Sequence, residues 1–454
     1  VAKHACIDIG ALVGKIKPKK GPTTSVVGAK ESVNKVNYIK MKRAVITGIG
    51  AVTPLGNSVE EYWNGLINGR SGAAPITLFD NTYHKTKFAC EVKGFDPLQY
   101  IEKQEARKMD RYVHLAIAAA EQCIADSKLN LDTCNLNRIG VILATGIGGI
   151  QTFEEEVLRY AENVQNPKFS PFFITKMISN IAAGQLSIRY GFRGISYAIT
   201  SACAASNNAI ANALDVIRLG RADAVLVGGS EASITPTAIG GFNSMKALST
   251  RNDDPTAASR PFDATRDGFV AGEGAGLILV EEMDHAIKRG AKIYCELAGY
   301  GAASDAYHVA ATHPDGVGAI LAMEGALQDA GVDARDVSYI NAHATSTPVG
   351  DISECKAIEH VFGSSLELLN VGATKSMTGH LLGAAGAIES IACILAIRDG
   401  IIPPTINFSQ LDESISTKIN ITANRAVKRE VNVALNNTFG FGGHTSSTVF
   451  KRFI

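Results

Sequence analysis

Short apolar runs alternate along this chain with stretches in which apolar residues recur every three or four positions, the pattern of buried strands alternating with helices. Residues 43–47, 139–144, 224–227 and 277–280 are such runs, each bounded by glycine or charge, and 337–342 and 431–435 are later ones. Between them Ala209, Ile210, Ala213, Leu214 and Ile217 share one helical face, which predicts a helix beginning just after Cys203 and stopping near Gly220. Residues 381–398, rich in Ala, Leu and Ile, predict a second small-residue helix closed by Asp399-Gly400. Helices this rich in alanine can approach a sheet or one another closely, so they suit the buried centre of a layered α/β fold. The succession of strand, loop and buried helix occurs around Cys203 and again around His380, which points to two similar halves.

Composition narrows the classes. Apolar residues make up 46% and charged residues 19% of 454, an ordinary globular balance. The 44 basic and 44 acidic side chains cancel, which argues against a general nucleic-acid binder. No window approaches the roughly 18–20 apolar residues of a membrane span. Eight cysteines are scattered with no Cys-x-x-Cys pair, so neither a disulfide framework nor a structural zinc site is expected, and a reducing compartment is. Residues 1–40, with Lys15, Lys17, Lys19 and Lys20 and almost no acids, read as a leader or extension outside the fold. Met41-Lys-Arg-Ala-Val-Ile-Thr-Gly reads as a start leading straight into a strand, with an organelle-import peptide as the alternative.

Three separated segments carry candidate chemistry: Ala198-Ile-Thr-Ser-Ala-Cys-Ala-Ala-Ser206, Ile340-Asn-Ala-His-Ala-Thr-Ser-Thr-Pro348 and Thr374-Lys-Ser-Met-Thr-Gly-His380. A free cysteine is usually a small buried hydrophobe. Cys203 differs in having small neighbours and a helix starting just after it, whose N-terminal field favours thiolate and whose N–H groups can donate to an oxyanion. His343 ends a strand-like run before a hydroxyl-rich turn, a place where structural histidines are also common. His380 is expected at the N-terminus of the second Ala-rich helix, where the dipole keeps its ring neutral. Lys375 reads as a loop lysine, with the solvent-exposed side chain as its ordinary alternative. Phe439-Gly-Phe-Gly-Gly-His444 is either a plain turn or a gate with a backbone donor at Phe441. Glu389 either orients Lys375, binds water or a cation, or is a solvated helix charge. Gly48-Ile-Gly50 follows a strand but lacks the third glycine of a dinucleotide fingerprint, and Gly146-Ile-Gly-Gly149 is likewise incomplete. Three Asn-x-Ser/Thr triplets, at Asn407, Asn420 and Asn436, have no secretory context.

Together with Leu248-Ser-Thr-Arg-Asn252, Ser259-Arg-Pro-Phe-Asp263, Arg266-Asp-Gly-Phe269, Gly272-Glu-Gly-Ala-Gly276 and Gly440-Phe-Gly-Gly443, these segments resemble the elongating β-ketoacyl-acyl-carrier-protein synthases, closest to bacterial synthase II. The resemblance runs from about Lys42 to Arg452. It implies the thiolase fold, two similar αβαβα halves in five layers, divided here at 41–291 and 292–454, and a homodimer in the cytoplasm. It implies that Cys203 takes the acyl chain, that His343 and His380 bind the malonyl thioester, and that Lys375 with Glu389 sets the field around them. Cys203 and Phe441 N–H groups would form an oxyanion hole, with Phe441 and Phe439 at the gate. Thr345 and Thr347 would bind the pantetheine arm, and Ile147 and Phe242 would flank the acyl pocket. Lys103, Arg107, Lys108 and Lys246 would dock the acidic acyl-carrier protein, a solvated helix face being the alternative. No metal and no resident cofactor are implied, since 4'-phosphopantetheine arrives on the carrier protein.

Ser201, Ala344 and Thr445 depart from the usual Thr, Gly and Asn of the family, and Thr445 puts chain-length preference in question. The initiating synthases pair cysteine with His and Asn, which the second histidine disfavours. A thiolase would want a second cysteine near the C-terminus. A non-catalytic chain-length partner subunit would lack the nucleophile, and a nicotinamide oxidoreductase has only the incomplete glycine motifs.

Overall fold

The computed structural model describes residues 41–454. The leader expected over residues 1–40 lies outside the described residues. The core is one sheet of ten strands: β1 (Ala44–Val52), β2 (Ile139–Ala144), β3 (Ser196–Ile199), β4 (Ala224–Glu231), β5 (Gly274–Glu282), β6 (Cys295–Ser304), β7 (Tyr339–Asn341), β8 (Asn370–Gly372), β9 (Val433–Gly440) and β10 (His444–Lys451). Their order across the sheet is β8-β7-β9-β10-β6-β1-β5-β4-β2-β3. Every strand of the first five therefore has its counterpart five places later. The pairing repeats as well: β2 is parallel to β3 and β4, and β7 to β8 and β9. In each half the other two contacts are antiparallel, and β1 meets β6 antiparallel at the junction.

Strands buried on both faces explain the continuous apolar runs. In β2, Val141 and Leu143 point into one core cluster while Ile142 and Ala144 point into another. The first of these clusters lies under α1 (Arg111–Ser127). The second gathers α2 (Ala205–Arg218) and α5 (Ala385–Asp399) between the two halves of the sheet. A third cluster packs α3 (Val317–Ala330) and α4 (Pro348–Phe362) on the outer face of the second half. The result is five layers, helix–sheet–helix–sheet–helix. Helix α5 is buried all round, from Ala385 to Ile397, as a helix apolar on every side must be.

The glycines of the incomplete fingerprint have a packing role. A Cβ on Gly50 of β1 would overlap the Ala119 carbonyl of α1, and one on Gly301 of β6 would overlap the Ala322 carbonyl of α3. The same close approach of strand and helix is thus repeated in the two halves.

Candidate active site

Cys203 sits in the turn between β3 and α2, and Ala202 before it has φ 49°, a left-handed conformation uncommon for a residue with a side chain. The turn lifts the thiol off the end of the strand and into a cavity of about 400 Å³ whose lining includes His343, His380, Phe439 and Phe441. Gly440 is tucked against this turn: a Cβ there would lie 2.9 Å from Cys203 N. Burial pushes the Cys203 thiol up to about 12; the Lys375 charge and the N–H groups of Phe441 and Cys203 itself pull it down, and Glu231 pushes it up. The helix-field expectation of a low thiol pKa is therefore opposed by desolvation. Function here depends on groups that stabilise the sulfur anion as it reacts.

His380 Nε2 lies 2.9 Å from Cys203 Sγ. Its backbone is pinned by His380 N–H to Val270 O at 2.7 Å and by Gly272 N–H to His380 O at 3.0 Å. Gly379 before it has φ 68°, and a Cβ there would lie 2.8 Å from Cys90 Sγ, so only glycine fits. His380 does not open the Ala-rich helix as expected: α5 starts five residues later, at Ala385, with a tight turn over Leu382–Ala384 between. Its imidazole is held well below the ordinary histidine value by burial first and then by the Lys375 charge, with no helix dipole needed. His343 is held low by burial, then Lys375, then His380. The two rings meet edge to face with centroids 5.3 Å apart, and both Nδ1 atoms are buried without a partner among the described residues. With its proton on Nε2, His380 presents a donor to Cys203 Sγ.

Lys375 is neither in a loop nor exposed. It opens a one-turn helix, Lys375–Thr378, and is buried with its Nζ 2.5 Å from Glu389 Oε1. The contact is a buried ion pair, both side chains being almost wholly out of solvent. Burial raises the Glu389 carboxyl to about 7, and Lys375 is what pulls it down.

Thr345 and Thr347 line the cavity, their hydroxyls 3.1 Å apart. Lys246 stands at the same cavity with its side chain exposed. Phe242 packs edge to face on Phe269, 5.3 Å between centroids, in the apolar cluster that contains Cys203. Seven of the expected residues do not line the cavity: Lys375, Glu389 and Phe242, already placed, then Ile147, and Lys103, Arg107 and Lys108, which were expected on a docking surface. Ile147 is 42% exposed and joins the site only through its backbone, because the 145–147 loop turns its side chain outward. Lys103, Arg107 and Lys108 lie on and after the short helix Lys103–Ala106, away from the cavity lining, and Lys108 is paired with Glu105 at 2.6 Å. Thr445, one of the departures, lines the cavity and donates to Gly318 O at 2.9 Å.

Two buried carboxylates escaped the sequence reading. Glu354 of α4 accepts His343 N–H at 2.9 Å, Ala344 N–H at 2.7 Å and Asn437 Nδ2 at 3.0 Å, and so fixes the His343 loop. Its spacing of four from Ile358, on a face with Cys355 and Ala357 beside it, was the available signal of a buried acid. Glu231 is the second, at the end of β4.

A doubled α/β fold with a cysteine and two histidines brought together from its two halves defines a condensing enzyme of the thiolase-like class. The chain belongs to the β-ketoacyl synthase family. It matches the family's N-terminal domain over residues 41–286 and its C-terminal domain over 294–409. It is 46% identical over 415 residues to 3-oxoacyl-[acyl-carrier-protein] synthase 2 of Synechocystis, covering 91% of this chain and 99% of that protein. It is 44% identical over 412 residues to the same-named protein of Staphylococcus aureus, covering 91% and 99%. Among solved structures it is similar to a ketosynthase of a type II polyketide system in complex with its acyl-carrier protein. That match has a TM-score of 0.83 and 33% identity, and covers 91% of this chain and 100% of that one. The fold is the thiolase fold.

Proposed function

We propose that this protein elongates fatty-acyl chains by decarboxylative condensation of malonyl-acyl-carrier protein with an acyl chain held on Cys203. The observation that carries the reading is the convergence of Cys203, His343, His380 and the Phe441 N–H in one cavity.

In the first step Cys203 Sγ attacks the thioester carbonyl of acyl-carrier protein. The new S–C bond replaces the bond to pantetheine, which leaves as a thiol carrying the proton from Cys203. The Nε2–H of His380, beside Sγ, and the positive Lys375 offset the charge on sulfur while the proton moves. In the second step malonyl-carrier protein enters, its arm held by Thr345 and Thr347. The bond to the carboxylate breaks, carbon dioxide leaves, and the electron pair spreads onto the thioester oxygen as an enolate. Two neutral imidazoles presenting Nε2–H stabilise that oxygen without needing a proton from solvent. In the third step the carbanion attacks the Cys203 thioester, whose oxyanion is met by the N–H groups of Cys203 and Phe441. The C–S bond breaks, the Cys203 thiolate takes up from water the one proton the overall condensation consumes, and a 3-oxoacyl chain two carbons longer leaves on the carrier.

Lys375 acts through Glu389 and its own charge rather than by touching substrate. Phe439, near the end of β9, and Phe441, in the glycine-rich turn after it, gate the cavity, and Phe242 borders the acyl chain. The solved relative bound to its carrier protein supports an acyl-carrier protein as partner, with Lys246 at the mouth and Lys103, Arg107 and Lys108 on the outer surface as its docking charges. The protein needs no cofactor of its own beyond the arm its substrate brings. We further infer halves dividing at 291/292 and a cytoplasmic homodimer. The dimer is supported by the open edge of β3 and by exposed Phe153, Phe169, Ile174 and Ile188 nearby in sequence. Among the described residues no helix is long and apolar enough to cross a membrane.

The test is reaction with malonyl-carrier protein and acyl-carrier protein together. A 3-oxoacyl product two carbons longer is expected from the wild type and none from Cys203→Ala. Equal product from both would overturn the reading.

A further inference from the structure

Glu231 ends β4 with its side chain fully buried, yet its carboxylate accepts five hydrogen bonds. Oε2 takes Gly146 N–H at 2.6 Å and Gly383 N–H at 3.0 Å. Oε1 takes the Ser233 hydroxyl at 2.8 Å, Ile147 N–H at 3.3 Å and the Thr145 hydroxyl at 3.4 Å. Burial raises the Glu231 carboxyl, and these converging donors oppose that by favouring the ionised form, which accepts at both oxygens.

These donors come from both halves of the fold. Residues 145–147 follow β2 of the first half, whereas Gly383 lies three residues beyond His380 in the second. Ser206, in the first turn of α2 and three residues beyond Cys203, donates its hydroxyl to the Gly383 carbonyl. Both polar backbone groups of Gly383 are thus held by the half that carries Cys203. A Cβ on Gly383 would overlap Gly146 N and the Thr145 carbonyl carbon, so the joint has room for backbone only. Leu382, between His380 and Gly383, sits at φ 45°, a strained conformation that persists only where its surroundings enforce it.

We propose that Glu231, together with Ser206, is a positioning residue that sets the separation of Cys203 and His380 by clasping Gly383 across the two halves. The inference rests on the condensing roles proposed for those two side chains. Release of Gly383 lets the Leu382 turn relax and carries His380 Nε2 away from its 2.9 Å approach to the sulfur. Glu231 also has an electrostatic effect that a mere strut would not. Its charge opposes ionisation of Cys203, whose other charged or titratable neighbours are Lys375, which favours ionisation, and the neutral His380 and His343.

The test compares wild type, Glu231→Ala, Glu231→Gln and Ser206→Ala. It measures kcat and KM for malonyl-carrier protein decarboxylation, and the pH dependence of Cys203 alkylation by iodoacetamide. Glu231→Ala is expected to lose about 100-fold in kcat, the effect of a displacement near 1 Å, with KM little changed. Glu231→Gln keeps an oxygen for Gly146 and Gly383 and turns its amide to the two hydroxyls, losing the 3.3 Å bond from Ile147 N–H. It is expected to recover kcat to within about tenfold of wild type while its alkylation profile moves to lower pH. Ser206→Ala removes the other side of the clasp with charge intact, so kcat falls and the alkylation profile stays; this arm decides the matter if Glu231→Ala does not fold. Full kcat in either alanine variant, or an unmoved alkylation profile in Glu231→Gln, overturns the proposal. A wild type that decarboxylates no malonyl-carrier protein would defeat the condensing function instead, and the alkylation profiles would still judge Glu231.

Discussion

Glu354→Ala removes the acceptor of three buried hydrogen bonds, from His343 N–H, Ala344 N–H and Asn437 Nδ2, at 2.9, 2.7 and 3.0 Å. Each orphaned buried donor costs about 1–3 kcal/mol, so the loop as it stands would carry roughly 3–9 kcal/mol of unmet hydrogen bonding. It relieves this only by moving the two backbone N–H groups toward other acceptors, and His343 moves with them. A displacement near 1 Å at the reacting group costs about 100-fold in rate. Decarboxylation of malonyl-carrier protein, followed by release of carbon dioxide, should therefore fall by about that factor. Acylation of Cys203, which leans on His380 rather than His343, should fall by less than about tenfold when read by intact mass. Glu354→Gln keeps one oxygen and should lie between. If Glu354→Ala decarboxylates at the wild-type rate and melts where the wild type does, the carboxylate does not hold His343 and the reasoning fails.

Both imidazoles are held well below the ordinary histidine value, so wild-type decarboxylation should show no loss centred on about pH 6.5. Lys375→Met removes a positive charge that holds them low, their pKa values rise, and an acid limb should move up in pH; identical pH–rate profiles for the two proteins would contradict this. Phe242→Trp adds bulk to the apolar cluster containing Cys203 and should shift preference toward shorter acyl donors, with an unaltered chain-length profile as the contrary result. Gly443→Ala forces a side chain onto a residue at φ 76° with Asp305 Cβ 3.1 Å from the new methyl. It should cost on the order of 1 kcal/mol in stability and slow turnover by stiffening the gate loop; wild-type stability and turnover would argue that the loop does not need this glycine.

Much of this architecture could be read from periodicity. The apolar runs at 139–144 and 224–227 fall inside β2 and β4 because both faces of those strands are covered, and the helix after Cys203 starts and stops where its apolar face and Gly220 predict. The candidate side chains were legible because their loops are unusual in composition. What stayed hidden was burial that depends on distant partners. Lys375 looks like a surface lysine until Glu389, fourteen positions on, is folded against it. Glu231 and Glu354 are buried acids that each accept more backbone N–H groups than any other kind of donor, and backbone donors leave no mark on a sequence. His380 was read one turn too close to its helix because Leu382–Ala384 has the same small-residue composition as the helix it precedes. The setting of Ile147 was not legible because its backbone is gripped by Glu231, 84 residues away in the chain.

The central claim is that Cys203 holds the growing chain. Intact mass after incubation with an acyl-carrier protein charged with a long-chain acyl group should show one acyl adduct, absent in Cys203→Ala. The adduct should disappear as malonyl-carrier protein is added and a 3-oxoacyl product two carbons longer is formed. Folded wild-type protein that forms no adduct with a competent carrier protein, or an adduct that persists in Cys203→Ala, would contradict the account.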